Sequence, residues 1–292
     1  MRFYLHGCYV NPDHVLEAAQ AAEAAGYDGQ TVSDHVVYPR FLGEEYPQDY
    51  DIFPPDTPWP DPWVTMAHLA AGTERLRFLN TVYIAPMREP IQAARLISTA
   101  AILSNYRIDI GVAQGWMKSE FEVLGAPHDK LASRLEEIIE VYRTLWSGGW
   151  VEHHGEYYDF PLVRMDPAPK GPMPLMGGGD APRALRRAAG LDGFVGSLYG
   201  VDKAIEVVGK LQAAREEAGT RDREDYEIFC GFLEEDRGVP TLDDVARLEE
   251  AGYTAMFVAP WETSHPPINR DPGRDELLRA IDRFAADVIH AR

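Results

Sequence analysis

The sequence predicts an α/β fold: a (β/α)8 TIM barrel with a small inserted hairpin and a long loop after the second strand. Three observations predict it. Strand-like and helix-like patterns alternate from one end of the chain to the other, which implies a parallel sheet with helices outside it. Eight such units can be counted in order. The length, 292 residues, is typical of one such barrel, so residues 1–292 read as a single domain. A doubly wound open sheet is the alternative, but no strand runs into a clean G-x-G-x-x-G turn.

The elements follow in order. "RFYLHGCY" is the first barrel strand. Asn11 and Pro12 then read as N-cap and first residue of a helix that Gly26 closes. "GQTVSD" is the second strand, and an irregular stretch from Val36 to Pro60 follows it. Asp61 and Pro62 open the next helix and Gly72 ends it. "LRFLNTVYI" and "PIQAARLISTAAILS" are the third strand and helix. "RIDIGV" is the fourth strand, with acidic helical stretches at 118–124 and 133–146 behind it. "WVEHHGEYYDF" reads as a hairpin turning near Gly155. "MPLMGGGD", "GFVGSL", "YEIFCGF" and "YTAMFVAP" are strands five to eight. Their helices cover about 181–189, 202–218 and 242–251, and "DELLRAIDRFAADVI" is the last.

Composition narrows the function. Hydrophobic residues make up 45% and charged residues 26%, an ordinary globular balance. Formal charge is 28 − 47 = −19. Such a chain repels nucleic acid and anionic membrane, so neither is an expected partner. Cys8 and Cys230 imply no disulfide framework, which fits a reducing cytoplasm. No zinc-ligand spacing occurs, and no metal is expected. The N-terminus lacks the pattern of a signal peptide, and no run of about 18 apolar residues could span a membrane.

In barrels of this kind the active site lies at the C-terminal ends of the strands. Those ends carry His6, Gly7 and Cys8; Ser33, Asp34 and His35; Asn80, Thr81, Val82 and Tyr83; Gly111, Ala113, Gly115 and Trp116; Gly177, Gly178 and Gly179; Gly196 and Ser197; Phe232; and Trp261. Small residues let something approach the backbone closely. The triple glycine leads into a helix whose free N–H groups suit a phosphate. The same residues also make a plain tight turn, with Asp180 as N-cap and Pro182 in the first turn. The long loop holds Tyr38, Tyr46, Tyr50, Phe53 and Trp59, and loops of this length are usually functional. With His6, Tyr83, Trp116, Trp261 and His265 they could line an apolar, ring-sized pocket. A packed surface loop or a subunit interface is the plainer reading. Trp116 suits stacking or core packing equally.

Several segments together resemble the luciferase-like flavin and deazaflavin oxidoreductases. The carrying residues are "AAEAAGYDGQTVSDHVVYP", "DPWVTMAHLAAGTERLRFLNTVYIAPMREP", "RIDIGVAQGWMKSEFEVLGAP", "RLEEIIEVYRTLW", "GEYYDF" and "PLMGGGDAPRALRRAAGLDGF". Their order and spacing over roughly residues 1–200 carry the resemblance. It implies a (β/α)8 enzyme with a flavin-type ring across the mouth, against Gly111, Ala113 and Gly115. It also implies a cis peptide at Val82–Tyr83. "SDHVVYP" resembles the branch that uses coenzyme F420, in which a histidine at the His35 position sits beside the ring. Histidine suits proton transfer near neutral pH. The other reading of His35 is a support for Asp34 and the loop. Glu120 matches a carboxylate of the family, and its plain reading is a helix-capping or surface-pairing charge. Arg183, Arg186 and Arg187 are available for the anionic tail that F420 carries. The family's frequent dimers imply a homodimer.

One departure stands out. The turn before strand four reads Ser104, Asn105, Tyr106, Arg107, where the family has Ser-Gly-Gly-Arg. Asn105 can adopt a left-handed backbone, whereas Tyr106 does so only at a cost, so this turn is expected to be reshaped, or its tyrosine ring packed on neighbours. The sequence-based expectation is an F420-dependent oxidoreductase that moves hydride to or from a small organic substrate. Its alternatives are an FMN-dependent monooxygenase and a non-catalytic flavin-binding protein. A glycoside hydrolase would pair Glu120 with Glu234 or Glu235.

Overall fold

The first strand of the barrel, β1 (Arg2–His6), pairs in parallel with β2 (Gly29–Val32) on one side and with the last strand on the other. The computed structural model describes residues 1–40, 55–234, 237–261 and 271–292. The remaining strands are β3 (Arg77–Asn80), β4 (Tyr83–Ile84), β5 (Ile108–Ala113), β6 (Trp150–His154), β7 (Asp159–Arg164), β8 (Leu175–Gly178), β9 (Gly193–Tyr199), β10 (Glu227–Phe232) and β11 (Ala255–Val258). The sheet order is β3-β2-β1-β11-β10-β9-β8-β5, and pairing of β3 with β5 closes it. That is an eight-stranded parallel barrel, with the short β4 continuing the third strand alongside β5. β6 and β7 form the separate hairpin.

Side chains alternate between the two faces of each strand. Phe3, Leu5, Phe78, Ile108, Ile110, Val112, Leu175 and Phe194 pack outward against the helices. Tyr4, Leu79, Met176, Val195, Phe229, Ala255 and Phe257 fill the inside. Below them lie two ion pairs. Arg77 grips Asp109 with Nε at 3.1 Å and Nη2 at 2.5 Å, and Arg2 meets Glu227. The interior is therefore a packed core, apolar in its middle and charged at its base, with its opening above.

Helix starts follow local chemistry. Asp61 accepts from the amides of Trp63 and Val64, both at 3.0 Å, ahead of Pro62. Glu89 does the same for Ile91 and Gln92 ahead of Pro90. Such caps satisfy donors that a helix leaves open. The first helix differs from the sequence reading. It spans Val15–Ala24 with His14 as N-cap, and Asn11 instead closes a turn on the amide of Asp13. The hairpin is tied to the helix Leu131–Trp146 through Glu137, which accepts from the amides of Glu156, Tyr157 and Tyr158.

The departure at Asn105-Tyr106 resolves simply. Both residues adopt positive φ, 55° and 59°. The Tyr106 hydroxyl accepts from the amide of Lys170 at 2.8 Å, and its ring packs where a side chain at Gly171 would stand. Arg107 closes the base by donating to the carbonyls of Ala70, Thr73, Leu76 and Ser104.

Candidate active site

His35 stands just past β2. Its Nδ1 lies 3.0 Å from Oε2 of Glu120, in the helix Lys118–Leu124. The other oxygen of Glu120 accepts from the amides of Val36 at 2.5 Å and Val37 at 3.3 Å. Glu120 is fully buried. The reading of it as a surface or capping charge is corrected: its partners are the histidine and the backbone that follows it. Burial pushes this carboxyl's pKa up, but the hydrogen bonds from His35, Val36 and Val37 outweigh it, and the net shift is downward. An ionised carboxylate only accepts, so His35 must donate from Nδ1, which makes Nε2 its basic nitrogen. Trp59 and Trp116 stand edge-on to the imidazole at 5.0 and 6.1 Å. Tyr9, Tyr38 and Trp59 pack on Met117 beside it.

Asp34 has a different tie from the one read in the sequence. Arg88 holds it with Nη1 at 2.7 Å and Nη2 at 2.6 Å, and the amide of Ile84 adds a bond at 2.9 Å. The Arg88 guanidinium lies over the Tyr83 ring, 4.7 Å from its centroid. This latch joins the end of β2 to β4. Sequence reasoning missed Arg88, although an aspartate at a buried strand end calls for a cation.

The small residues divide by face. Gly178 and Ala113 point inward beside Val82. A Cβ at Gly178 would lie 2.8 Å from Cγ1 of Val82 and 3.4 Å from the Ala113 methyl. These three make a side-chain-poor apolar platform at the mouth. Gly177 faces outward, where a Cβ would lie 2.8 Å from the backbone of Ala188. Gly111 lies in the barrel wall, against the carbonyl of Asn80, and Gly115 packs on Ile84 and Phe121. The sequence reading gave ring room to Gly111, Ala113 and Gly115: Ala113 stands at the platform, Gly111 faces inward below it opposite Met176, and Gly115 is packed on Ile84 and Phe121, while Gly177, read with the phosphate site, faces outward. The cis peptide is Thr81–Val82, one residue earlier than the resemblance implied.

The other candidates fall into three groups. His6, Ala113 and Gly178 end their strands, His35 and Val82 lie just past β2 and β3, and Ser197 is exposed near the end of β9. Thr81 is half-buried, with its Oγ1 3.5 Å from Ser33 Oγ. Asn80 lies opposite Val32, on the outward face, and its amide is fully buried. Tyr83 is buried against Trp63, and Trp261 is 5% exposed within the outer core. By register, the side chains of Asn80 and Tyr83 point away from the mouth. Trp116 is 41% exposed at the rim. Tyr46, Tyr50, Phe53, His265 and Glu235 lie outside the described residues. Glu234 accepts from the amide of Val201 at 2.7 Å.

On the anion side, Ala181 is the N-cap of the helix Pro182–Ala189 and gives no side-chain bond. Asp180, expected there, lies beside Tyr199, whose hydroxyl is pushed up to about 12, chiefly by burial. Arg183 is engaged by Glu136 at 2.7 and 3.0 Å and by Ser133 at 2.9 Å. The Arg187 side chain is buried 3.9 Å from Glu136, and Arg186 is exposed. The residues present fit a planar heterocycle: a smooth platform, a histidine at its rim, and a helix start without a side-chain cap for an anionic group. Among the described residues, no group of three or more His, Cys, Asp or Glu could hold a metal ion. Nor is any helix among them long and apolar enough to cross a membrane.

The chain is a (β/α)8 barrel, and comparison with known proteins gives its family. Residues 5–233 match the luciferase-like monooxygenase family, and the chain belongs to that family. An uncharacterized protein of Mycobacterium tuberculosis is 33% identical over 297 residues, covering 99% of each chain. The oxygenase component of a flavin-dependent trigonelline monooxygenase from Acinetobacter baylyi is 31% identical over 159 residues, 54% of this chain and 39% of that one. An F420-dependent secondary alcohol dehydrogenase shares the fold, with a TM-score of 0.77 at 16% identity, over 100% of this chain and 99% of that one. Members of the family are oxidoreductases or monooxygenases.

Proposed function

We propose that this protein is an oxidoreductase that binds coenzyme F420 at the mouth of the barrel and moves hydride to or from a small organic substrate. The observation that supports this reading is a part-buried His35–Glu120 pair just past β2 together with a small-residue platform at Val82, Ala113 and Gly178. Val82, Ala113 and Gly178 would hold the ring, with Gly179 and Ser197 at its edge. When bound, the deazaflavin supplies the hydride chemistry. The chain's own part is to seat the substrate and handle the proton. Glu120 keeps Nδ1 of His35 protonated, so Nε2 takes a proton from a hydroxyl that is being oxidised, or returns it to a carbonyl that is being reduced. Trp59 and Trp116 flank the imidazole and offer apolar, ring-sized surfaces to a substrate. The whole-length likeness to an F420-dependent dehydrogenase supports the reading.

A second reading is an FMN-dependent monooxygenase, favoured by the likeness to a flavin-dependent monooxygenase component. Fluorescence titration of the purified protein with F420 and, separately, FMN decides between them. Micromolar binding of F420 with weak FMN binding is the expected result. Saturable binding of FMN alone moves the protein to the second reading, and binding of neither removes both. A homodimer in a cytoplasmic setting completes the proposal; size-exclusion chromatography with light scattering tests the dimer.

A further inference from the structure

His6 ends β1, and Thr31 of β2 lies opposite it. Along β1, Phe3 and Leu5 belong to the outer core and Tyr4 to the cluster inside the barrel. By that alternation His6 points inward, one layer above Tyr4. Its ring centroid is 5.1 Å from that of Phe257, an inner residue. Its Nδ1 is 2.8 Å from Oγ1 of Thr31. Tyr4 and Thr31 are fully buried, whereas His6 is 7% exposed. The barrel beneath is filled, so solvent reaches this imidazole through the mouth. Nδ1 is engaged by Thr31, which leaves Nε2 for that opening.

The electrical setting differs from that of His35. The polar neighbour is a hydroxyl, and burial alone pushes the His6 pKa down to about 4. The ring is neutral, with one nitrogen donating and the other accepting. A threonine hydroxyl can donate or accept, so Nε2 can take either role.

We infer that His6 is a binding residue of the mouth: its uncharged imidazole offers one hydrogen bond, through Nε2, to a neutral polar edge, an imide or a carbonyl oxygen, of the molecule held over Val82 and Gly178. This rests on the proposed function and names the chemistry that the floor of the site recognises. The edge belongs to the cofactor ring or to the oxygen of a small ketone or alcohol.

The test is long-range 1H–15N spectroscopy of protein carrying 15N-histidine, with His6→Gln used to assign the His6 signals. F420 is added first, then FMN to a separate sample, then acetone to the F420 sample. The expected result is a shift of the His6 ring nitrogens on addition of cofactor. In parallel, His6→Phe should weaken cofactor binding about tenfold, about 1.4 kcal/mol or one hydrogen bond, while His6→Gln stays within about threefold. Circular dichroism confirms that both variants fold. A shift that comes only with acetone supports the inference and assigns the bond to the substrate oxygen. His6 signals unmoved by all three, with His6→Phe binding like wild type, overturn it. Wild-type protein that binds neither cofactor is a separate result, seen before any variant is made; it removes the proposed function and this inference with it.

Discussion

The two sides of the barrel mouth are built by opposite means. On the side of β1, β2 and β4, polar side chains reach the rim and each is tied down: His6 by Thr31, Asp34 by Arg88 and Ile84, His35 by Glu120. On the side of β8 and β9 the polar anchors are missing: the mouth there has Gly178, Gly179, an exposed Ser197, and the apolar side chain of Leu198, which lies over Gly231. The difference teaches a division of labour. A polar group near a packed core needs partners to hold it and to offset desolvation. A wall that must accept a flat ligand gains from having nothing to move.

Substitutions can break that contrast, or sharpen it. The largest effect belongs to the tied side. His35→Gln should lower turnover by about 10²–10⁴-fold with cofactor affinity within about threefold; equal turnover in steady-state assays would remove His35 from the chemistry. Arg88→Met strands the buried carboxylate of Asp34 and should cost about 3–5 kcal/mol in urea unfolding. The Asp34→Asn/Arg88→Met double variant should recover most of that loss, because no charge is left unpaired; a single variant as stable as wild type would show that the latch contributes nothing.

The bare side is tested by adding atoms. Gly178→Val should weaken cofactor binding about tenfold or more, by pushing on Val82, with an overpacking cost of about 1–3 kcal/mol. Gly177→Val, one residue away, should lose similar stability against the helix at Ala188 but leave the affinity of folded protein unchanged. Titration and unfolding of both variants separate the two faces; equal affinity losses would erase the distinction drawn between them.

The smallest effect is one of pH. The Glu120 carboxyl has a folded pKa below its ordinary value of 4.5. Its contribution is therefore full above that value and is lost as the pH falls through the lower, folded value. Wild type should exceed Glu120→Gln in stability by about 1.5 kcal/mol at pH 7, and the gap should narrow as the pH falls below 4.5. A Glu120→Gln variant as stable as wild type at pH 7 would argue that Glu120 is not held as an anion.

Much of the fold was legible because barrel strands are short apolar runs separated by helix caps, and Asp61-Pro62 and the Gly155 hairpin announce themselves locally. The site was legible to the level of strand ends. What the sequence withheld was the face each residue takes. Gly177 and Gly178 are identical letters with opposite directions, and only the register of β8 against β5 and β9 separates them. Asn80 looked like a rim residue, yet its place opposite Val32 turns it outward. Glu120 looked like an acid on a surface helix; its burial depends on how that helix folds back over residues 35–37. Arg88 and Asp34 are 54 residues apart, a separation no local pattern spans.

The charged base and the filled middle of the barrel have a kinetic consequence. Arg77–Asp109, Arg2–Glu227 and the rings of Tyr4 and Phe229 seal the cylinder from below. Among the described residues, the base of the barrel is filled, which leaves the upper end as the approach. On the proposed function, reactant and spent product would share that end, and each exchange would wait on a departure.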